Sequence, residues 1–256
     1  MSIAVNAFTQ TPLEEEYQVL VKPLVEAVRN NDKEKIIKLL WYPLGRQYPI
    51  PDIANEQAMR ERYDQVFDPI VIDLIKKSSI ENDWHHMGWR GIMLHNGLIW
   101  IDDYYGKVFA INYQSPQETA IRNTIILAMK NNIHASLRAF EKPSVFCETK
   151  NYKIRIDLLN VDNYRLALWP KEKEQHEIPG TILINGEKIF DGSGGNHYYI
   201  FDGNNYQYIL SVNALGNFDG DRGDFLIYRG TKRHVLKGRD DKSSIVVKEE
   251  IHTIEN

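Results

Sequence analysis

One cysteine, Cys147, stands in 256 residues. No internal disulfide can form, which suits a cytosolic protein and equally a disulfide-free exported one. No apolar run approaches the ~18 residues that a membrane-spanning helix needs. Neither sign of charge is in excess: 31 Lys+Arg face 35 Asp+Glu, a net −4. The balance is even along the chain, with 16 basic and 18 acidic side chains in residues 1–143 and 15 and 17 in residues 144–256. Without a basic block, nucleic-acid binding through a broad positive face is disfavoured. Internal repeats and low-complexity tracts are missing. The stretch Ile3-Ala4-Val5-Asn6-Ala7 lacks a basic flank and is too short for a full signal-peptide core. It ends in small residues, and Val5-Asn6-Ala7 is acceptable as a cleavage site. This points to a periplasmic or secreted protein, with a cytoplasmic one also compatible.

The composition is ordinary for a globular protein, 43% hydrophobic and 26% charged. A chain this long can bury a core without staples. Its first part is mixed. Thr11-Pro12 and the acids Glu14, Glu15 and Glu16 predict a helix start, followed by Tyr17, Leu20, Val21, Leu24, Val25 and Val28 at helical spacing. Asp32 predicts a second cap, Asn55-Glu56 a third helix towards Phe67, and Asp68-Pro69 a fourth over 70–77. Aromatic and β-branched residues over 84–94 then predict strands, and His95-Asn96-Gly97-Leu98 predicts a type I′ hairpin. A fifth helix is expected over 117–130 after Ser115-Pro116.

From Ser144 onward strands dominate, at 152–159, 164–169, 181–184, 198–201, 206–212, 225–228, 234–236 and 245–251. Turn signals at Val161-Asp162-Asn163, Asn185-Gly186, Asp202-Gly203-Asn204 and 217–223 separate them. The expected class is α+β: an N-terminal domain of helices on a curved antiparallel sheet, residues 1–143, then an antiparallel β barrel or sandwich, residues 144–256.

The most distinctive stretch is Asp191-Gly192-Ser193-Gly194-Gly195-Asn196-His197. It has the look of a phosphate cradle but fails each standard pattern. A dinucleotide loop needs a third Gly where His197 stands, and a helix after it. A Walker loop needs Gly-Lys-Ser/Thr. A nucleophile elbow needs Gly at Asp191. The expectation is a tight inter-strand bend presenting a contact surface made of Gly194, Gly195, Asn196, His197, Tyr199 and Tyr206.

Other clusters are weaker chemistry. His85, His86 and His95 with Asp102 and Asp103 supply metal- or proton-handling groups, but neighbours on a strand point to opposite faces. Aromatic-rich surface strands are the better reading, and if the first domain holds an acid–base or ligand cavity, His86, Asp102 and Tyr104, with Asp103 and Tyr105, form the expected inventory. Cys147 has His134 and His197 as distant candidate bases, and a lone Cys beside Val145 and Phe146 reads more readily as a small buried hydrophobe. Asn217, Asp219, Asp221 and Asp224 make an oxygen-rich turn without the EF-hand spacing. No metal, cofactor or catalytic set is expected from these residues.

Two blocks carry a family resemblance. Leu40-Trp41-Tyr42-Pro43-Leu44, Tyr63-Asp64-Gln65-Val66-Phe67 and the run from Gly91 to Trp100 resemble the cone-shaped domains of nuclear transport factor 2-like proteins, in particular those of exported bacterial proteins. Tyr152-Lys153-Ile154-Arg155-Ile156-Asp157, Tyr164-Arg165 and the Gly-Gly-Asn-His segment are similar to the β-domain that follows in such proteins. The resemblance implies a fold and not a reaction, because such folds host enzymes and pure binding modules alike. With the negative catalytic signals, it implies a non-catalytic binding protein of the bacterial cell envelope. Its partner would be a protein, as for an inhibitor or immunity protein acting on a toxin or hydrolase. The alternative expectation is a small-molecule binder or acid–base enzyme using the first domain's cavity.

Overall fold

A computed structural model describes residues 12–192, 195–213, 222–230 and 245–255. Gly194, residues 3–7, residues 217–221 of the oxygen-rich turn and the strand expected at 234–236 lie outside the described residues. The contacts divide the chain into a unit ending at Ile121 and a unit beginning at Arg122. The fold is α+β, as expected.

The first unit holds four helices, α1 (Glu15–Arg29), α2 (Lys33–Lys38), α3 (Glu56–Val66) and α4 (Pro69–Lys77). Their starts follow from caps. Asp32 accepts from the Lys35 N–H, Asn55 from Ala58, and Asp68 from Ile70 and Val71 with Pro69 at the first helical position. Four short strands follow, β1 (Trp84–His86), β2 (Ile92–Leu94), β3 (Ile99–Ile101) and β4 (Val108–Ile111), paired antiparallel in chain order. One face of this sheet, Trp84, Ile92, Leu94, Ile99, Ile101, Val108 and Ile111, joins Val21, Leu24, Val28, Ile36, Met59 and Val71 of the helices in one core, with every member almost fully buried.

The type I′ hairpin is not what forms at 95–98. Leu94 pairs directly with Ile99, leaving a four-residue loop closed by Leu98 N–H to Leu94 O at 3.0 Å. Positive φ falls on His95 and Gly97 rather than on two adjacent central residues.

Helix α5 (Pro116–Asn132) begins in the first unit and ends in the second. After it come, among the described residues, a 3₁₀ turn (Ala135–Leu137) and nine strands: β5 (Lys142–Glu148), β6 (Tyr152–Asn160), β7 (Asn163–Pro170), β8 (Thr181–Phe190), β9 (His197–Gly203), β10 (Tyr206–Val212), β11 (Asp224–Arg229), β12 (Ile245–Glu250) and β13 (Thr253–Glu255). They form one curled antiparallel sheet, a half-barrel, in the order β12-β11-β10-β9-β8-β7-β6-β5-β13. The sheet is single, so the sandwich expectation is corrected.

Two devices curl the sheet. Asn185-Gly186 lies inside β8 and makes no turn. Leu183 pairs with Leu166 and Gly186 with Tyr164, so β8 holds one extra residue there, with Asn185 at φ +62°. The bulge lets β8 pair first with β7 and then, from Glu187, with β9. Phe201 crosses the strand at Gly186, where a Cβ would come within 2.0 Å of its ring. The second device lies at 250–253. Glu250 pairs with Asp224 of β11, and three residues on, Thr253 pairs with Glu148 of β5. The N–H groups of Ile251 and His252 bond to Gly223 O and Glu148 O, one towards each edge.

The inner face buries Cys147, Ile154, Ile156, Leu168, Tyr199, Phe201, Tyr208, Leu210 and Phe225. On the outer face, Asp157 accepts from Arg155 Nε at 3.0 Å and Arg165 Nη2 at 2.6 Å, and all three side chains are buried.

Candidate functional site

Strands β1 and β3 run in the same direction, so the loops that follow them meet at one end of the four-stranded sheet. Gly91 sits between them at φ +88°, and a Cβ there would lie 2.5 Å from Ile101 O. This close approach sets the 3₁₀ turn Gly88–Arg90 against β3. Trp89, in that turn, is 67% exposed.

The loop after β3 is built by Asp102. Its Oδ1 accepts the N–H groups of Tyr104 at 3.1 Å and Tyr105 at 2.6 Å, and its main chain bonds to Lys107 and Gly106. Tyr104 and Tyr105 are thereby presented at 78% and 66% exposure, edge to face at 4.7 Å. Trp41 lies 5.8 Å from the Tyr105 ring. Phe109, also exposed, packs at 6.3 Å from Trp100, over which Arg90 sits at 5.9 Å.

Of the expected cavity set, His86, Asp102 and Tyr104 all belong to this end, with Asp103 meeting His86. His86 Nε2 meets Asp103 Oδ2 at 3.0 Å, and its ring stacks on Tyr17 at 3.9 Å. The Tyr17 hydroxyl is held above its ordinary pKa by desolvation, then by Glu16, Glu14 and Asp103. Asp102 is committed to its own loop. His85 pairs with Met93, and its neighbours on the strand, Trp84 and His86, point to the other face. His95 lies in the loop at the far end of the sheet. Among the described residues, no group of three or more His, Cys, Asp or Glu is placed to hold a metal ion, and no helix is long and apolar enough to cross a membrane.

In the second unit, between β8 and β9, Asp191 N–H bonds to Asn196 O at 2.8 Å and Gly195 stands at φ +88°. His197 begins β9 paired with Phe190 and Val212, and its Nδ1 is 2.8 Å from Gly195 O. Burial pushes its pKa below the ordinary value. Tyr199 is 1% exposed, with its hydroxyl pKa raised by burial, and belongs to the inner core. Tyr206 is half-buried against that core. Cys147 is fully buried between β6 and β13, and burial drives its thiol pKa upward, opposite to what a nucleophile needs.

Sequence reasoning missed Trp89 and Phe109 as surface residues. Trp89 follows Gly88 directly, the one local signal that an aromatic there leaves the strand register. It also missed a buried ion pair. Arg46 meets Glu118 through Nε–Oε1 at 2.8 Å and a second, Nη2–Oε2 contact, and caps the carbonyls of Ile111 at 2.7 Å and Tyr113 at 2.8 Å at the end of β4 and just beyond it, past the bridge between Leu40 and Val108.

Comparison with protein-family models, with curated proteins and with solved structures finds no match. The class is therefore defined by the fold and the surface: an α+β protein with a four-stranded sheet filled on its inner face and aromatic at one end, and a curled nine-stranded half-barrel.

Proposed function

We propose that this chain is a non-catalytic binding protein that engages a protein partner through the aromatic end of its four-stranded sheet. The observation that carries this is the presence of exposed Trp89, Tyr104, Tyr105 and Phe109 in and next to the two loops at one end of the sheet, with Arg90 over the Trp100 ring. Trp, Tyr and Arg are the side chains most enriched at binding hot spots, because each buries much area at little conformational cost. The filled inner face of the sheet and the commitment of the Asp102 carboxylate to its own loop favour contact over turnover.

We read the first unit as a nuclear transport factor 2-like domain, on the strength of helices α1–α4 laid across an antiparallel sheet. We place the protein in the bacterial cell envelope, as an inhibitor or immunity protein for a toxin or hydrolase. The deciding experiment is quantitative capture from extract of the native cells by the intact protein, by a Trp89→Ala/Tyr104→Ala/Tyr105→Ala variant and by His197→Ala. A stoichiometric partner that the triple variant loses and the His197 variant keeps is expected. A partner retained by the triple variant, or none recovered from any fraction, overturns the reading.

A further inference from the structure

A cleft of about 460 Å³ lies in the first unit between Gly45–Gln47 and the edge of β4, over residues 109–114. That volume is in the range of small-ligand sites, about 300–1,000 Å³. Three carboxamides line it, Gln47, Asn112 and Gln114, and Phe109 adds an exposed aromatic wall. The Asn112 amide is oriented by donation of Nδ2 to Gly97 O at 2.7 Å, which leaves its oxygen to accept. Gln114 Nε2 is buried and finds no hydrogen-bond partner among the described residues. Buried donors are almost always satisfied, so this one calls for an acceptor.

The charges narrow the ligand class. Arg46 is the one charged side chain lining the cleft. It is neutralised by Glu118, and its remaining donation goes to the carbonyls of Ile111 and Tyr113. Arg62 also approaches Glu118, at 3.8 Å, but does not line the cleft. An anion would therefore find no uncompensated cation among the lining residues. An extended peptide added to β4 would find those carbonyls already taken. What remains on offer is neutral: amides that both donate and accept, set beside an aromatic ring. Vicinal hydroxyls with C–H faces complement that set.

We propose that this cleft binds a neutral, hydroxyl-rich ligand of the saccharide class. The cleft shares Phe109 with the aromatic end of the sheet but takes in none of Trp89, Tyr104 and Tyr105, so it stands whether or not a protein partner is found.

The test titrates the intact protein with glucose, galactose, N-acetylglucosamine and their β-linked disaccharides, followed by saturation-transfer NMR and calorimetry. At least one is expected to bind with a Kd of about 1 mM or tighter. Gln47→Ala and Gln114→Leu are each expected to weaken it about three- to tenfold, the effect of one neutral hydrogen bond. Gln47 is exposed, so its variant tests the site even if Gln114→Leu perturbs folding. The triple variant at Trp89, Tyr104 and Tyr105 is expected to bind the sugar normally. Three results overturn the proposal: no saccharide binding, binding unchanged in Gln47→Ala, or glucuronate binding more tightly than glucose.

Discussion

The two units place their aromatic side chains in opposite directions. In the second, Tyr199, Phe201, Tyr208 and Phe225 point into the curl of the sheet and are nearly inaccessible. In the first, the sheet's buried face is filled by Ile, Leu, Val and one Trp, while Trp89, Tyr104, Tyr105 and Phe109 face outward. A half-barrel needs large side chains to fill its hollow. A helix-covered sheet does not, because helices supply the filling and leave aromatics free to face outward. The difference assigns packing to one set of rings and exposure to the other.

The comparison breaks most sharply in the second unit. Phe201→Ala is expected to destabilise it by about 3–5 kcal/mol, the usual cost of emptying an aromatic site in a packed core. The buried thiol of Cys147 reports this directly, because it reacts with thiol reagents only when that unit opens. Labelling at a protected, wild-type rate would mean that the ring is not packed inside. Next in size is Glu118→Gln, which keeps shape and removes the charge facing Arg46. A loss of about 2–3 kcal/mol is expected in chemical denaturation of the first unit, with Cys147 labelling unchanged.

A smaller effect comes with pH. Burial holds His197 neutral, with its pKa below 6.5 in the folded chain. Above pH 6.5 the group is neutral folded or unfolded and its contribution is intact. Below that, the unfolded chain takes up the proton first, so stability falls as pH drops through the window beneath 6.5. Thermal melts at pH 7.5 and 5.5 should differ less for His197→Asn than for the wild type. The smallest effect closes the comparison. Tyr104→Ala is expected to change stability by less than about 0.5 kcal/mol, because the ring is 78% exposed. A large loss there would place Tyr104 among the packing residues.

Local chemistry was legible in the sequence wherever a few neighbouring residues decide the outcome. Asp68-Pro69 starts α4 and Asp32 caps α2 because cap, proline and dipole act within one turn. Asn185-Gly186 misled because the same φ-permissive pair serves a turn or a bulge, and the pairing of β7 with β8 chooses between them. Strand β5 was overlooked because it carries Pro143, a residue usually kept out of strands, at a point where the register shifts. Alternation along 197–203 indicated two faces but not which was inner, so Tyr199 could not be placed until the curl was known. The Arg46–Glu118 pair joins residues 72 positions apart, and nothing local to either announces it.

The handover at Ile251 and His252 bears on how the chain is made. Strand β5 meets β6 as soon as both leave the ribosome, but its other side waits for Thr253, about a hundred residues later. During vectorial synthesis that side is an open template on which another nascent chain could dock. Slowing translation between β6 and β12 should lengthen that exposure and lower the soluble yield, with no change in the finished molecule.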